Sequence, residues 1–459
     1  MKTLVETAAA VANLTVSPVD LVEQALAAVE PVQAACNAFT VVMADEARAL
    51  AKDLAEIDPI GPLHGVPIAI KDLYDVRGYR TTGCCAAYLE RPVASADSAV
   101  AAKLRAAGAI FIGKTNQHEL ACGATSQVSC FGPVLNPFDT DRIPGGSSGG
   151  SGVAVASGVV KMAMGSDTGG SIREPASMCG VTGLKPTHGA VSLRGAMPMI
   201  PAFDSGGALA ITAEDCLLVH RLLAGYDDGD PFSRADATPR DNPETVRGLR
   251  LGIPRRMYQR IDPEVRAAVD GAAWVLSELG ITLVELDGPD PDEASASWNT
   301  RWAEVANCYR DLWDDDRPSD AIKRLLAIGR NISGPDHARG LETHRIVQRE
   351  FRRAFESADI LLAPTAPYPA PRIDAEEVQV EGGSLDVHHG GAVRLTMLVN
   401  LAGLPALSIP VGFTSDGMPI GAQVIGPDFS EALICAVGSA YQAETYWHLR
   451  RAQVRGLSS

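Results

Sequence analysis

Residues 65–76, GVPIAIKDLYDV, place Val66, Ile68 and Ile70 at alternate positions with small residues between them, and Lys71 closes the run. That two-residue period is the mark of a strand. Further on, ADSAVAAKLRAAG reads as a helix ending at Gly108, and AIFIGKT as the strand that follows it. Strand, helix and strand in alternation constrain the chain more than any other feature, because each element must bury one face against the next layer. They predict an α/β fold around a mixed sheet.

The rest of the chain extends the pattern. SPVDLVEQALAAVE offers Ser17 as a helix cap, Pro18 at the first helical position, and Leu21, Val22, Ala25, Leu26 and Val29 as one apolar face. A second helix is expected through MADEARALAKDLAE, and an apolar helix through GVAVASGVVKMAMG. ADILLAPTAP (358–367) and PALSIPVGF (405–413) read as strands that return the chain to the sheet. Between Asp227 and Glu350 the sequence turns charged and helical, and WNTRWAEVANCYR sets Trp298, Trp302, Val305 and Tyr309 on one face, read as core packing. With 459 residues, 46% of them hydrophobic, the chain can bury a large core, and no internal repeat is present.

Several classes of function are disfavoured. The net charge is −16 and no run of Lys and Arg marks a nucleic-acid footprint, so no nucleic-acid partner is expected. Nine cysteines show no CxxC and no Cys/His metal spacing, so no metal is expected; Cys36, Cys216 and Cys435 sit among apolar residues and read as buried thiols, and a reducing cytoplasm is the expected compartment. The N-terminus lacks a signal-peptide core and no segment nears about 18 consecutive strongly apolar residues, so no membrane span is expected. GAIFIGKT (108–115) satisfies the phosphate-loop pattern, but its middle is an apolar strand where a flexible cradle is needed. GSSGG (146–150) satisfies GxSxG, yet polar sequence precedes it where a nucleophile elbow follows a strand. No dinucleotide fingerprint appears, and no cofactor is expected.

Ser171, in GSDTGGSIR, has no histidine within a dozen residues, although a serine hydroxyl needs a base to become a nucleophile. Three features remain to be joined: Lys71 at a strand end, the serine pair of PGGSSGGSG (144–152), and Ser171. Their order, with PLHGVPIAIKD, GKTNQHELACGATS, GGSSGGSGVAVASG, GSDTGGSIREPASMCGVTGLKPTHG and PALSIPVGF…GMPIGAQVIG around them, resembles the amidase signature family. The resemblance covers most of the chain and is weak only between about 225 and 345. It implies one amidase-signature domain over 1–459, a central twisted mixed β-sheet surrounded by α-helices, with 225–345 a variable helical region that shapes the substrate pocket.

By the same resemblance Ser171 is the nucleophile, Ser147 a bridging serine reached through a cis peptide from Gly146, and Lys71 the base. Ser148 and Asp167 match bracing positions and Arg173 a structural one. The chemistry is coherent: lysine must be neutral to accept a proton, and burial disfavours its ammonium. Neutral Lys71 could draw a proton from Ser147, which draws one from Ser171, and the reverse relay would protonate the departing amine. The backbone N–H groups of Thr168, Gly169 and Gly170 can converge on a tetrahedral oxyanion.

Departures from the usual pattern fall at His188, read as a structural substitute, and at Ala190, Ala208 and Ile211. Glu174 is expected to face the acyl side of the substrate, disfavouring carboxylates; pairing with a nearby Arg is the other option. Gln117, Cys122, Thr125 and Ser126 are expected to form a second pocket wall. The leading expectation is a stand-alone amidase on a small-molecule amide, a possible homodimer. The alternatives are the glutaminase (A) subunit of a glutamyl-tRNA(Gln)/aspartyl-tRNA(Asn) amidotransferase, which needs a second chain as partner, and a non-enzymatic binding module, disfavoured because no catalytic position is lost.

Overall fold

Helix boundaries follow local chemistry. The side chain of Ser17 accepts from the backbone N–H of Val19, and Pro18 opens the helix Pro18–Cys36, which Asn37 ends in a left-handed conformation. The helix Ala44–Ala55 lies where MADEARALAKDLAE predicts it. The computed structural model describes residues 3–237, 241, 243–388 and 390–454. The span 1–459 expected for the domain therefore has its ends, and residues 238–240 and 242 inside its variable region, outside the described residues.

The strands in chain order are β1 (Phe39–Val42), β2 (Pro67–Lys71), β3 (Ile110–Thr115), β4 (Met162–Asp167), β5 (Thr182–Lys185), β6 (Ser205–Ala210), β7 (Arg250–Pro254), β8 (Thr282–Leu286), β9 (Ile360–Pro364), β10 (Glu377–Val380), β11 (Gly383–Asp386), β12 (Ala406–Phe413) and β13 (Pro419–Ile425). β10 and β11 pair with each other; the other eleven form one sheet in the order β1-β3-β2-β4-β6-β5-β12-β13-β9-β7-β8. β2 runs parallel to both β3 and β4, and β7 is parallel to β8 and β9, while the remaining pairings are antiparallel. This is a mixed α/β architecture, a large central sheet surrounded by helices, as the sequence predicts.

β2 shows why the fold holds. All five of its residues are buried. Ile68 and Ile70 pack into the larger apolar cluster and Ala69 into the one on the opposite face. A strand covered on both faces needs apolar residues throughout, and each large one buried contributes about 1.5–3 kcal/mol. Lys71, also buried at the strand end, breaks that rule and so needs a chemical account.

Two expectations are corrected. The stretch 152–165 is not one helix: the helix Gly149–Ala156 ends, Gly158 adopts φ +80°, and the chain re-enters the sheet as β4. MAMG is apolar because β4 is a central strand, a pattern that periodicity cannot separate from a buried helix over so few residues. The segment 298–309 is also broken, into a helix Pro291–Trp298, a single 3₁₀ turn Asn299–Arg301 and a helix Trp302–Cys308. No helix among the described residues is long and apolar enough to cross a membrane.

Candidate functional site

Parallel pairing of β2 with β4 sets Ile70 against Met164. The residues after that register, Lys71 on one strand and Ser166 and Asp167 on the next, therefore come together at the same end of the sheet. Lys71 Nζ lies 2.7 Å from Ser147 Oγ, 2.9 Å from Ser148 Oγ and 2.9 Å from Ser166 Oγ. All four residues are buried. Burial pulls the lysine down to about 7, against the attraction of the Asp167 and Asp204 carboxylates, so a large neutral fraction exists near neutrality.

The serine pair arrives on a loop that runs into the helix Gly149–Ala156 through a cis Gly146–Ser147 peptide. A methyl group on Gly150 would stand 2.4 Å from the carbonyl oxygens of both Ala38 and Asn116, so only glycine lets the helix start pack this closely. Ser126 braces the same loop, its Oγ 2.9 Å from the Gly145 carbonyl and 3.2 Å from the Gly149 N–H.

Ser171 follows β4 after the turn Thr168–Gly170. That turn is held from behind by Asp167. One carboxylate oxygen accepts from the Ile172 and Arg173 N–H groups and from Arg173 Nε, and the other accepts from Arg173 Nη2 at 3.0 Å and Asn400 Nδ2 at 2.8 Å. Arg173 spends its other contacts on Gln423, the Thr396 carbonyl and Asn400. The Thr168 hydroxyl donates to buried Asp204.

Ser171 opens into a chamber of about 490 Å³ whose walls include Cys122, Gly169, Met199, Trp298, Trp302, Leu325, Ile328, His388 and Val393. Among the described residues the lining holds no Asp, Glu, Lys or Arg. Ser171 Oγ itself has no hydrogen-bond partner among the described residues, Ser147 Oγ included. A second cavity of about 200 Å³ lies on the other side of Ala121 and Met199, with Ser166, Thr168, His188 and Asp204 in its wall. His188 is held by a bond between its Nε2 and the Pro201 carbonyl. No group of three or more His, Cys, Asp or Glu able to hold a metal occurs among the described residues.

The structure thus brings Lys71, Ser147, Ser148, Asp167, Arg173 and Ser171 into one cluster. It does not gather the whole expected pocket wall. Of that group only Cys122 lines the chamber; Thr125 lies 3.4 Å from the ring of His118, Ser126 supports the glycine loop, and Gln117 is buried with its amide unpartnered among the described residues. Glu174 is also outside the lining. It is buried behind Gly170 and pairs with no Arg among the described residues. Burial raises its carboxyl well above the usual range, opposed by a contact to Thr396.

Trp298 and Trp302 are corrected in the other direction: both line the chamber as well as packing inward, with Trp298 stacked on Phe203 at 6.2 Å. Sequence reasoning also missed Ser166, Thr396 and Asn400. Ser166 was in reach, two residues into the same GSDTGGS loop; the other two are more than 220 residues away in sequence and carry no local signal.

Residues 20–435 match the protein family described as Amidase. A relative from Thioalkalivibrio sulfidiphilus, the A subunit of glutamyl-tRNA(Gln) amidotransferase, is 38% identical over 98% of this chain and 98% of its own length. Relatives carrying that name from other bacteria fall between 35% and 37%. A solved structure described as an unexpected vestigial protein complex that reveals the evolutionary origins of an s-triazine catabolic enzyme superposes with a TM-score of 0.91 at 33% identity, covering 99% of this chain and 100% of that one. The A subunit of glutamyl-tRNA(Gln) amidotransferase from Thermotoga maritima gives 0.81 at 27% identity, covering 96% and 95%. The amidotransferase subunits overturn the expectation of a small-molecule amide as the sole partner, with no nucleic acid and a possible homodimer: they are subunits of an enzyme named for a tRNA.

Proposed function

The chain belongs to the amidase signature family, an enzyme family of amide C–N chemistry, and from that premise we propose that it is the amide-cleaving subunit of an amidotransferase-type assembly, releasing ammonia from glutamine through a serine acyl-enzyme. One observation carries the chemistry: a fully buried lysine, pulled down to about 7, lies 2.7 Å from the hydroxyl of Ser147, and the neighbouring Ser148 N–H bonds the carbonyl of Ser171, which lines the chamber. The names of the relatives support the assembly.

In this reading substrate seats in the chamber and brings Ser171 and Ser147 within bonding reach, a contact that often closes only in the reacting complex. Neutral Lys71 takes the proton of Ser147 as Ser147 takes that of Ser171, whose oxygen attacks the amide carbon. The oxyanion is met by backbone N–H groups of the Thr168–Gly170 turn and of Ser171. The relay reversed delivers the proton to the departing nitrogen, and water then hydrolyses the acyl-enzyme or an acceptor takes its place. Asp167 and Arg173 fix the turn, and the region 225–345, which carries the strands β7 and β8 as well as the helices expected of it, contributes Trp298, Trp302, Leu325 and Ile328 to the chamber that receives the acyl group.

A second reading of the amide is favoured by the lining. Glutamine carries an α-ammonium and an α-carboxylate, and burying either without a counter-charge is costly; walls with no Asp, Glu, Lys or Arg among the described residues suit a neutral acyl group in the same assembly. The test is to isolate the chain with whatever partner co-purifies and measure ammonia release from glutamine beside that from a neutral amide such as benzamide, with Ser171→Ala as control. Release from glutamine supports the first reading, release from benzamide alone replaces it with the second, and no Ser171-dependent release from either sinks both.

A further inference from the structure

Glu174 is a buried carboxyl beside the nucleophile that the proposed chemistry leaves unused. Its Oε2 is fully buried with no hydrogen-bond partner among the described residues, and its Oε1 lies 3.1 Å from the hydroxyl of Thr396. The neighbouring guanidinium gives it no hydrogen bond, since Arg173 directs its bonds to Asp167, Gln423, Asn400 and the Thr396 carbonyl, and the pull of its charge is outweighed by burial. A charged carboxylate with an orphan oxygen is a costly thing to bury, whereas a carboxylic acid needs one acceptor for its proton.

Thr396 supplies that acceptor. Its single hydroxyl proton goes to the nearer of two carbonyl oxygens, that of Gly169 at 2.7 Å rather than that of Val393 at 3.2 Å, which leaves the hydroxyl oxygen able to accept. In a trans peptide the carbonyl of one residue and the N–H of the next point in opposite directions. Pulling the Gly169 carbonyl toward Thr396 therefore turns the Gly170 N–H the other way, toward the side on which Gly169 and Ser171 line the chamber. The next peptide is fixed in the same manner, because the Gly170 carbonyl accepts from the Glu174 N–H at 2.7 Å. Neither the Gly170 nor the Ser171 N–H has an acceptor among the described residues. Gly170 is shaped to this arrangement: at φ +143°, a Cβ would stand 2.2 Å from Thr396 Oγ1 and 3.0 Å from Glu174 Cγ.

We propose that Glu174, as a neutral acid, and Thr396 are positioning residues for the oxyanion donors: the Glu174 O–H donates to Thr396, the Thr396 O–H donates to the Gly169 carbonyl, and the Gly170 N–H is thereby aimed at the developing oxyanion. Neither side chain touches substrate. The inference rests on Ser171 being the nucleophile.

The probe is a fluorophosphonate, whose phosphoryl oxygen develops negative charge at the same position as an acyl oxyanion. Labelling of the full chain is followed as the maximal rate and the half-saturating concentration, beside thermal melting. Thr396→Val should lower the maximal rate about ten- to a hundredfold, below the loss of a whole oxyanion donor, with half-saturation and melting little changed. Thr396→Ser should restore the rate. Glu174→Gln, whose amide still donates to Thr396, should stay within about threefold of the original, while Glu174→Met should fall as far as Thr396→Val. The infrared band of a protonated carboxyl at neutral pH should vanish in Glu174→Gln. A Thr396→Val rate within twofold of the original, a Glu174→Gln loss equal to that of Glu174→Met, or absence of the carboxyl band would each overturn the proposal. No labelling of the unsubstituted chain would instead overturn Ser171 as nucleophile.

Discussion

Protonating Lys71 should switch the enzyme off. With burial holding the lysine at about 7, roughly half the molecules carry the free base at pH 7, about a tenth at pH 6 and about a hundredth at pH 5. An ordinary lysine would be neutral in only about one molecule in 3,000 at pH 7, so the buried setting enriches the working base about a thousandfold. The expected result is a kcat/KM that falls about tenfold per pH unit below about 7 and levels off above it. Ammonia release and fluorophosphonate labelling should trace the same limb.

Lys185 is also buried and also held near 7, but its Nζ bonds the Pro186 carbonyl and Ser205, away from the serine cluster. Ser166→Ala separates the two lysines. It removes an acceptor 2.9 Å from Lys71 Nζ, and a hydroxyl accepting from an ammonium stabilises the charged form more than the neutral one. The limb should therefore move to lower pH. A profile flat from about pH 6 to 8, or a limb that Ser166→Ala leaves in place, would refute the assignment of Lys71 as base.

Other substitutions test other parts of the site. Asp167→Asn leaves the buried Arg173 guanidinium without its counter-charge and should cost about 3–5 kcal/mol in urea unfolding, with labelling of Ser171 slowed in the fraction that folds. Gly150→Ala drives a methyl group against two carbonyl oxygens at the start of the serine-loop helix; unfolding free energy should drop by about 3 kcal/mol, and an unchanged value would contradict the close approach. Trp298→Ala enlarges the chamber: bulkier neutral amides should gain in kcat/KM relative to small ones, at about 3 kcal/mol in stability, and an unaltered preference would remove Trp298 from the wall.

The sheet was legible at Ile68–Ile70 and in the stretch that became β12, where strands alternate or run apolar between turn residues, but not at β7 and β8, short strands at one edge of the sheet set within charged, helix-rich sequence. It failed at MAMG, because a central strand and a short buried helix present the same uninterrupted apolar run. Lys71, Ser147 and Ser171 could be named because each sits in a short distinctive block, and the fold then places Lys71 beside Ser166 through the β2–β4 register and beside Ser147 where the loop enters the helix Gly149–Ala156. The chamber was largely illegible. Its walls come from Cys122, the 298–328 helices and Val393, brought together by tertiary contact alone, and Trp298 and Trp302 carry the same helical spacing whether they fill a core or line a cavity. Glu174 was picked out by its place three residues after Ser171. Its direction could not be read, because that depends on Arg173 being claimed by Asp167 and on Thr396 reaching in from the turn before a helix distant in sequence.

The chamber has two origins. Ser171 and the lysine–serine cluster behind it come from the first half of the chain, held by the pairing of β2 with β4 and by the loop that enters the helix Gly149–Ala156, and much of the roof comes from helices far downstream. Changes in that roof leave the sheet register untouched, so a lineage can exchange one acyl group for another while its proton-transfer apparatus stays as it was. In such a scaffold, close kinship of sequence reports shared chemistry, and the roof residues report what is being cut.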